Sequence, residues 1–384
     1  MMTETNDRKL PAGIQSFKKI RKEGYLYVDK TDLIWKLANN GMTYNYLSRP
    51  RRFGKSILVD TLQAYFEGKK ELFEGLKIMD LEKDWKHYPV IRLDMSRGGA
   101  NAGTLRSYLN QRFKDFETQY GITPDPTAKL ADRFHDILSA AYSKTGLQVA
   151  ILIDEYDSPL QHSWKTPDHD ACTEVYREVF AILKSDDEYE RFVFITGITK
   201  FTQISLFSVL NNLTNISFLP EYAALCGITE EEIKENFKPE LEKMAEENDW
   251  TLQQTHDNLK ELYDGYHFSR RNMVDIYNPF SLINALDTQD LNCFWAASGA
   301  TSMLPKFVDD MELRLSNFDN CSVLRSTLET SDVTDGGAEL FLYQTGYLTI
   351  KGYDEFGYIL GFPNEEVKQD LYEATKNRLG HRIG

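Results

Sequence analysis

Two short segments of this chain contain the residue types that bind a nucleoside triphosphate. The first segment ends in Gly54, Lys55 and Ser56. If these residues open a helix, its first backbone N–H groups would face the phosphates. The Lys55 ammonium would then contact the β- and γ-phosphates, and the Ser56 hydroxyl would bind Mg²⁺. The pattern therefore predicts a phosphate-binding loop.

The second segment is an apolar run, residues 149–153, followed by Asp154 and Glu155. Such a run predicts a buried strand of a parallel sheet, and ligands of open α/β sheets bind at the carboxyl ends of the strands. We expect Asp154 to share Mg²⁺ with Ser56, and Glu155 to orient the water that attacks the γ-phosphate. The alternative is an ordinary strand end that meets solvent.

Three arginines make the first segment electropositive. The general phosphate-loop pattern has glycine where this chain has Arg49, and Arg51 and Arg52 follow shortly after. Their guanidinium groups could hold phosphate oxygens or stabilise charge on the γ-phosphate, or they could pair with surface carboxylates. We expect at least one of the three to contact the nucleotide. Phe53 lies between them and Gly54 and is expected at the nucleotide as part of the loop.

Two threonines follow a further strand-like segment that begins at residue 191 and is apolar over residues 192–195. Thr196 and Thr199 could hydrogen-bond the γ-phosphate or the attacking water, and we include Thr196 with Lys55 and Glu155 among the candidate catalytic residues. Their hydroxyls could equally satisfy the backbone of a turn.

The composition is that of a globular protein, with 41% hydrophobic and 27% charged residues in a chain of 384. This length allows two or three domains. The net charge of −15 argues against broad adhesion to nucleic acid or to anionic membranes. A polar start and the lack of a membrane-spanning run favour a cytoplasmic location. Scattered cysteines and histidines leave Mg²⁺ as the metal we expect.

Short apolar segments alternate with helix-forming sequence in the first half of the chain, and this alternation predicts a parallel sheet with helices on both faces. The fold class is therefore predicted to be α/β. The expected strands are residues 44–47, 89–94, 149–154, 191–197 and 215–219.

Beyond Pro220 the sequence becomes charged and helix-forming, and we place a domain boundary there. Asn278 and Pro279 are typical of the cap and first turn of a helix. Residues 347–351 and 358–362 flank a glycine-containing turn and predict a hairpin. Helices and a hairpin together could form a winged-helix-like module.

Several of these segments resemble the AAA-ATPase-like family, and the resemblance runs from about residue 10 to about residue 367. It implies an AAA-like P-loop ATPase core over residues 1–220 and a helical, winged-helix-like extension over 221–384. It also implies that arginine at position 49 is usual, and the choice of ATP over GTP rests on it. The blocks that carry it are residues 10–14, 27–31, 49–56, 152–157, 207–213, 277–282 and 344–350.

Members of this family often continue into a C-terminal nuclease domain of the PD-(D/E)XK type. This chain stops at Gly384 before such a domain, so we expect a short or truncated member that cuts no DNA or RNA by itself.

The predicted function is an ATP-binding, Mg²⁺-dependent ATP-hydrolysing switch. Two alternatives stay open: a nucleotide-binding module that recognises a partner protein or another copy of itself without turnover, and a nucleic-acid-binding regulator, which the net charge weakens.

Overall fold

The computed structural model describes residues 8–200, 213–297, 304, 318–330, 332–333 and 336–381. Of the sequence block at 207–213, all but Leu213 lies outside these residues.

A five-stranded parallel sheet forms the centre of the first half, as the sequence predicts for an α/β protein. Its strand order is β2-β3-β4-β1-β5. Every residue of β3 is buried, which is why the five residues before Asp154 are continuously apolar rather than alternating. The strands are β1 Tyr44–Ser48, β2 Val90–Asp94, β3 Val149–Asp154, β4 Glu190–Gly197 and β5 Thr214–Asn215.

The register of these strands brings the polar strand ends to one edge of the sheet. Asp154 pairs with Asp94 across β3 and β2, and Ser48 pairs with Gly197 across β1 and β4. Because parallel strands present their carboxyl ends at the same edge, the loop after β1 and the residues after β3 and β4 must be neighbours. The sheet and its flanking helices are consistent with a phosphate-loop core.

Helices cover the sheet and pack their apolar sides against it. The long fifth helix begins with a capping box, in which Asn101 and Thr104 satisfy each other's backbone N–H groups. The helices are α1 Phe17–Glu23, α2 Thr31–Asn39, α3 Lys55–Phe66, α4 Ile78–Leu81, α5 Ala102–Tyr120, α6 Leu130–Thr145, α7 Ser158–Ser163, α8 His169–Phe180 and α9 Ile182–Ser185.

The fifth predicted strand, residues 215–219, is wrong in its extent. Only Thr214 and Asn215 pair with β1, and the chain then enters a 3₁₀ turn over Ile216–Phe218. The Asn215 side chain accepts a hydrogen bond from the Ser217 N–H at 3.1 Å and so favours the turn. This local bond ends the strand despite the apolar residues that follow.

A group of helices and a two-stranded ribbon follows. Asn278 accepts hydrogen bonds from the N–H groups of Phe280 and Ser281, which confirms the predicted helix start at Pro279. The elements are β6 Ile228–Thr229, α10 Glu230–Asn236, α11 Lys238–Glu247, α12 Leu252–Tyr263, β7 Ile276–Tyr277, α13 Pro279–Thr288 and α14 Phe294–Ala297.

The C-terminal part contains a three-stranded antiparallel sheet of order β8-β10-β9, and its last two strands form the predicted hairpin. The elements are β8 Cys321–Leu324, α15 Arg325–Thr330, α16 Gly337–Thr345, β9 Thr349–Tyr353, β10 Gly357–Gly361 and α17 Glu365–His381.

The described residues form two apolar cores. The larger core joins the parallel sheet to the C-terminal sheet, through side chains that include Ile153, Phe53 and Ile350. The smaller core is built from residues between 228 and 286, together with Leu10. The N-terminal segment therefore packs with a part of the chain more than 200 residues away. No helix in the described ranges is long and apolar enough to span a membrane.

Candidate nucleotide-binding site

The loop between β1 and α3 has the geometry that its sequence predicts. Gly54, directly before Lys55, has φ of 87°, a conformation that glycine adopts without steric cost. Arg52 also has a positive φ of 66°, which for a residue with a Cβ costs about 1 kcal/mol. These two residues turn the chain sharply from the strand into α3, so that the first N–H groups of the helix lie at the loop.

The Lys55 side chain folds back into this loop. Its Nζ donates to the carbonyl oxygens of Arg49 and Pro50, each at 3.0 Å, and the residue is 4% exposed. The two bonds hold the ammonium where a phosphate seated on the helix start would meet it.

Asp154 lies beside Ser56 at the end of β3. The Ser56 hydroxyl is near enough to the Asp154 carboxylate to stabilise its charged form. Burial, and secondarily the charge of Glu155, raises the pKa of Asp154 to about 6, although Ser56 and Lys55 oppose the rise. The Oδ1 atom of Asp154 is buried without a hydrogen-bond partner. A buried carboxylate oxygen without a partner is costly unless a proton or a cation satisfies it.

The residues at this point fit Mg²⁺. Magnesium prefers hard oxygen ligands, usually keeps several waters, and is commonly held by one or two protein groups together with substrate phosphates. Ser56 and Asp154 supply such oxygens, and Oδ1 of Asp154 has no hydrogen-bond partner within the described part of the protein. No cluster of three or more His, Cys, Asp or Glu side chains among the described residues could hold a metal alone, so nucleotide phosphates would have to complete the shell.

Glu155 adopts an unusual backbone conformation, with φ of 50°. The turn is fixed by two backbone bonds, from Tyr156 N to Thr196 O and from Ser158 N to Glu155 O, both 3.0 Å. Non-glycine residues in this region are strained, and such strain occurs often at functional sites. Glu155 is partly exposed and lines the same pocket as Lys55 and Ser56.

That pocket has a volume of about 320 Å³. One end is the loop with Lys55, Ser56 and Glu155. The rest of the lining is largely apolar and comes from distant parts of the chain, including Ile14, Val28, Phe237 and Ile283, along with Cys226 and Gly227. The sequence blocks at 10–14 and 27–31 were recognised only by their resemblance to the family. Nothing in their residue spacing predicts that they line this pocket.

Arg51 and Arg52 both line the pocket. The exposed Arg52 guanidinium stacks over the Phe280 ring at 4.7 Å from its centroid. The side chain of Phe53 is instead fully buried, with its ring 4.7 Å from that of Tyr266. The Phe53 carbonyl accepts from Gly227 N at 3.2 Å, so Phe53 joins the loop to the opposite wall.

Of the three arginines, at least one of which is expected to contact the nucleotide, Arg49 has its side chain directed away from the pocket. The residue is 1% exposed and donates to the carbonyl oxygens of Ser48, Ser217 and Tyr222 at 2.9–3.0 Å. The guanidinium also lies 4.1 Å from the Phe268 ring centroid. Arg49 therefore fastens the loop to the segment beyond β5.

Thr196 is likewise directed inward. It is fully buried, and its hydroxyl donates to the Leu47 carbonyl at 2.8 Å, so it does not reach the pocket in this conformation. Thr199 is also buried, and its hydroxyl donates to Asp157 at 2.6 Å. Both threonine hydroxyls therefore donate hydrogen bonds to groups within the protein, which is the alternative that the sequence left open.

A loop between a strand and a helix on a parallel sheet, with a serine at the start of that helix and two carboxylates at the end of a neighbouring strand, is the arrangement typical of nucleotide-binding α/β proteins. The model of the AAA-ATPase-like family, described as predicted AAA-ATPases, matches residues 11–207. An uncharacterized protein in the vnfD 5′ region of Azotobacter chroococcum mcd 1 is 33% identical over 377 residues, which is 96% of this chain and 70% of that protein. The chain belongs to the AAA-ATPase-like family.

Proposed function

We propose that the protein binds ATP together with Mg²⁺ and hydrolyses it. The observation that carries this proposal is that Lys55, Ser56 and Glu155 line one pocket, with Asp154 directly behind Ser56. Lys55 and the helix N–H groups would hold the phosphates, and Ser56 and Asp154 would hold Mg²⁺. Bound Mg²⁺ would neutralise charge on the β- and γ-phosphates.

Glu155 is the residue we assign to the attacking water. Its carboxylate is at the phosphate end of the pocket and would accept a hydrogen bond from water as that water attacks the γ-phosphorus. The bond from this phosphorus to the oxygen of the leaving ADP breaks, and inorganic phosphate forms. Arg51 and Arg52 also line the pocket and would join Lys55 in stabilising the phosphate charge.

The base of the nucleotide would lie against the apolar part of the pocket, where the described lining residues include no carboxylate. Among the described lining residues Glu155 is the one acidic side chain, and it belongs to the phosphate end. Adenine and guanine both present an exocyclic amino group as a donor. The choice of ATP over GTP therefore rests on the family to which the chain belongs.

The test is Mg²⁺-dependent phosphate release by the wild type beside Glu155→Gln. The variant should bind ATP but release little phosphate, because the neutral amide is a poor base while the Ser56 and Asp154 oxygens are retained. Tight nucleotide binding without release by the wild type would favour the non-hydrolysing module instead. Equal release by both proteins would refute the role of Glu155.

The proposal also covers the domains, the partner and the location of the switch. The region after Pro220 would respond to hydrolysis, with residues 1–220 as the ATPase core and residues 221–384 as a helical, winged-helix-like extension. A protein partner or a second copy is the expected target of the switch, in the cytoplasm. The charge of −15 supports neither nucleic acid nor an anionic membrane as the partner.

A further inference from the structure

We propose that Asp157 and Lys200 are positioning residues which connect the Glu155 turn to the C-terminal helices α15 and α16. The inference rests on the proposed ATP site, and it assigns the route by which that site acts on the rest of the molecule. Neither residue lines the pocket.

Asp157 fastens the turn after β3 to the turn after β4. Its Oδ2 accepts hydrogen bonds from the backbone N–H groups of Ile198 at 3.0 Å and Thr199 at 2.6 Å, and from the Thr199 hydroxyl. The residue is 1% exposed, so these charge-assisted bonds are shielded from water. Asp157 is two residues from Glu155, and its carboxylate therefore fixes the Glu155 turn relative to residues 198 and 199.

Two tyrosines hold the same turn from the other side. The hydroxyls of Tyr156 and Tyr46 both donate to the Thr199 carbonyl, at 2.8 and 3.3 Å. Gly197 allows this close approach, because a Cβ there would lie 2.3 Å from Asp157 Oδ1. The phosphate loop joins at the same place, since Arg49 N donates to the Gly197 carbonyl.

Lys200 extends this connection to the C-terminal part of the chain. Its backbone N–H donates to the Gln344 side chain in α16 at 3.0 Å, and its Nζ donates to the Glu329 carbonyl in α15 at 3.0 Å. Its carbonyl accepts from Val333 N at 3.0 Å. Burial lowers the pKa of Lys200, while Asp332 and Glu329 oppose that effect.

These contacts form one continuous path of polar bonds. Glu155 is tied through Asp157 to Thr199, and the next residue, Lys200, is bonded to both α15 and α16. A change in the Glu155 turn when the γ-phosphate binds or leaves would move the 198–200 segment, because stiff buried bonds transmit displacement. The C-terminal helices would then take one position with ATP and another without it.

The first test measures amide hydrogen exchange in α15, which the Lys200 side chain contacts, with and without Mg²⁺-ATP, in the Glu155→Gln background to prevent turnover. ATP should change the exchange of α15 in this protein, and Lys200→Met should remove that change while leaving ATP affinity intact. Lys200→Arg, which keeps a donor, should restore it. The matched control is Lys184→Met, an exposed lysine of α9.

The second test uses turnover. Asp157→Asn is expected to lower kcat on the order of tenfold with little change in KM, because a misplaced Glu155 turn affects water attack rather than nucleotide binding. Asp170→Asn, an exposed acid in α8, is the control. Normal kcat in Asp157→Asn would overturn its positioning role.

The two hypotheses fail in different ways. If ATP binds but does not alter α15 exchange, or if Lys200→Met keeps the wild-type response, the connection is refuted and the ATP site stands. If no ATP binds to the wild type, as judged by thermal stabilisation, the proposed function itself is refuted, and the connection falls with it.

Discussion

The ammonium of Lys55 is held by two backbone carbonyl oxygens, which carry only partial charges, so most of its positive charge is available to a phosphate. Lys55→Ala should therefore abolish the thermal stabilisation by Mg²⁺-ATP, which at 100 times Kd would amount to about 2.7 kcal/mol in the wild type. Differential scanning fluorimetry over a nucleotide titration measures this. Lys114→Ala, at an exposed site of α5, should shift like the wild type. Equal shifts for Lys55→Ala would contradict the phosphate site.

Asp154 should make the stability of the nucleotide-free protein depend on pH. Its pKa rises from 3.8 to about 6 on folding, so between these values the folded state binds more protons than the unfolded state. Stability from this group is therefore complete below pH 4 and declines until about pH 6, by at most about 3 kcal/mol. Asp154→Asn should be more stable than the wild type at pH 7, by urea unfolding. The difference in the free energy of unfolding between the variant and the wild type should become smaller towards pH 4. A difference that does not change with pH would contradict the raised pKa of Asp154.

Local sequence patterns were sufficient for some of these side chains and not for others. Gly54 and Lys55 lie at the start of a helix that follows a strand closely, so the local backbone is enough to place them at the phosphate loop. The side chain of Arg49 has enough reach to turn either way, and the carbonyls that it meets belong to residues 217 and 222. No sequence pattern near position 49 indicates those partners.

Arg49 also matters at the scale of the elements, because it connects β1 to the segment that follows β5. Arg49→Met should lower the free energy of unfolding by roughly 2–4 kcal/mol, since it leaves buried carbonyl oxygens without donors. The exposed Arg52 offers a comparison, and Arg52→Met should cost less than about 1 kcal/mol. Urea unfolding of both variants provides the measurement. Similar values for the two would show that the Arg49 bonds add little.

At this scale the sequence predicts β1 to β4 well, because alternation of apolar strands and helices follows from burial on both faces of a sheet. It fails at β5, where the hydrogen bond from Ser217 N to Asn215 outweighs the apolar character of residues 216–219. The hairpin of β9 and β10 was predictable from its turn. Its packing into the core of the parallel sheet was not, because contacts between distant segments have no local pattern.

Across the whole molecule, an ion pair joins the N-terminal wall of the pocket to the helical part. Lys30 Nζ lies 2.6 and 2.7 Å from the two oxygens of Glu232, and both side chains are less than one fifth exposed. We expect a double-mutant cycle of Lys30→Met and Glu232→Gln to give a coupling free energy of about 1 kcal/mol or more. Coupling near zero, from urea unfolding, would mean that other contacts hold the wall.

The pocket is lined from both halves of the chain, and this determines where a recombinant fragment of a family member should end. The family model ends at residue 207, but the Phe53 ring packs on Tyr266, and the pocket takes Phe237 and Ile283 from still further along. A recombinant fragment cut at residue 207 would uncover these aromatic surfaces and lose one side of the pocket, so poor solubility and weak nucleotide binding are its expected behaviour. Inactivity of such a fragment would be an artefact of truncation, and biochemical comparison among relatives calls for the longer boundary.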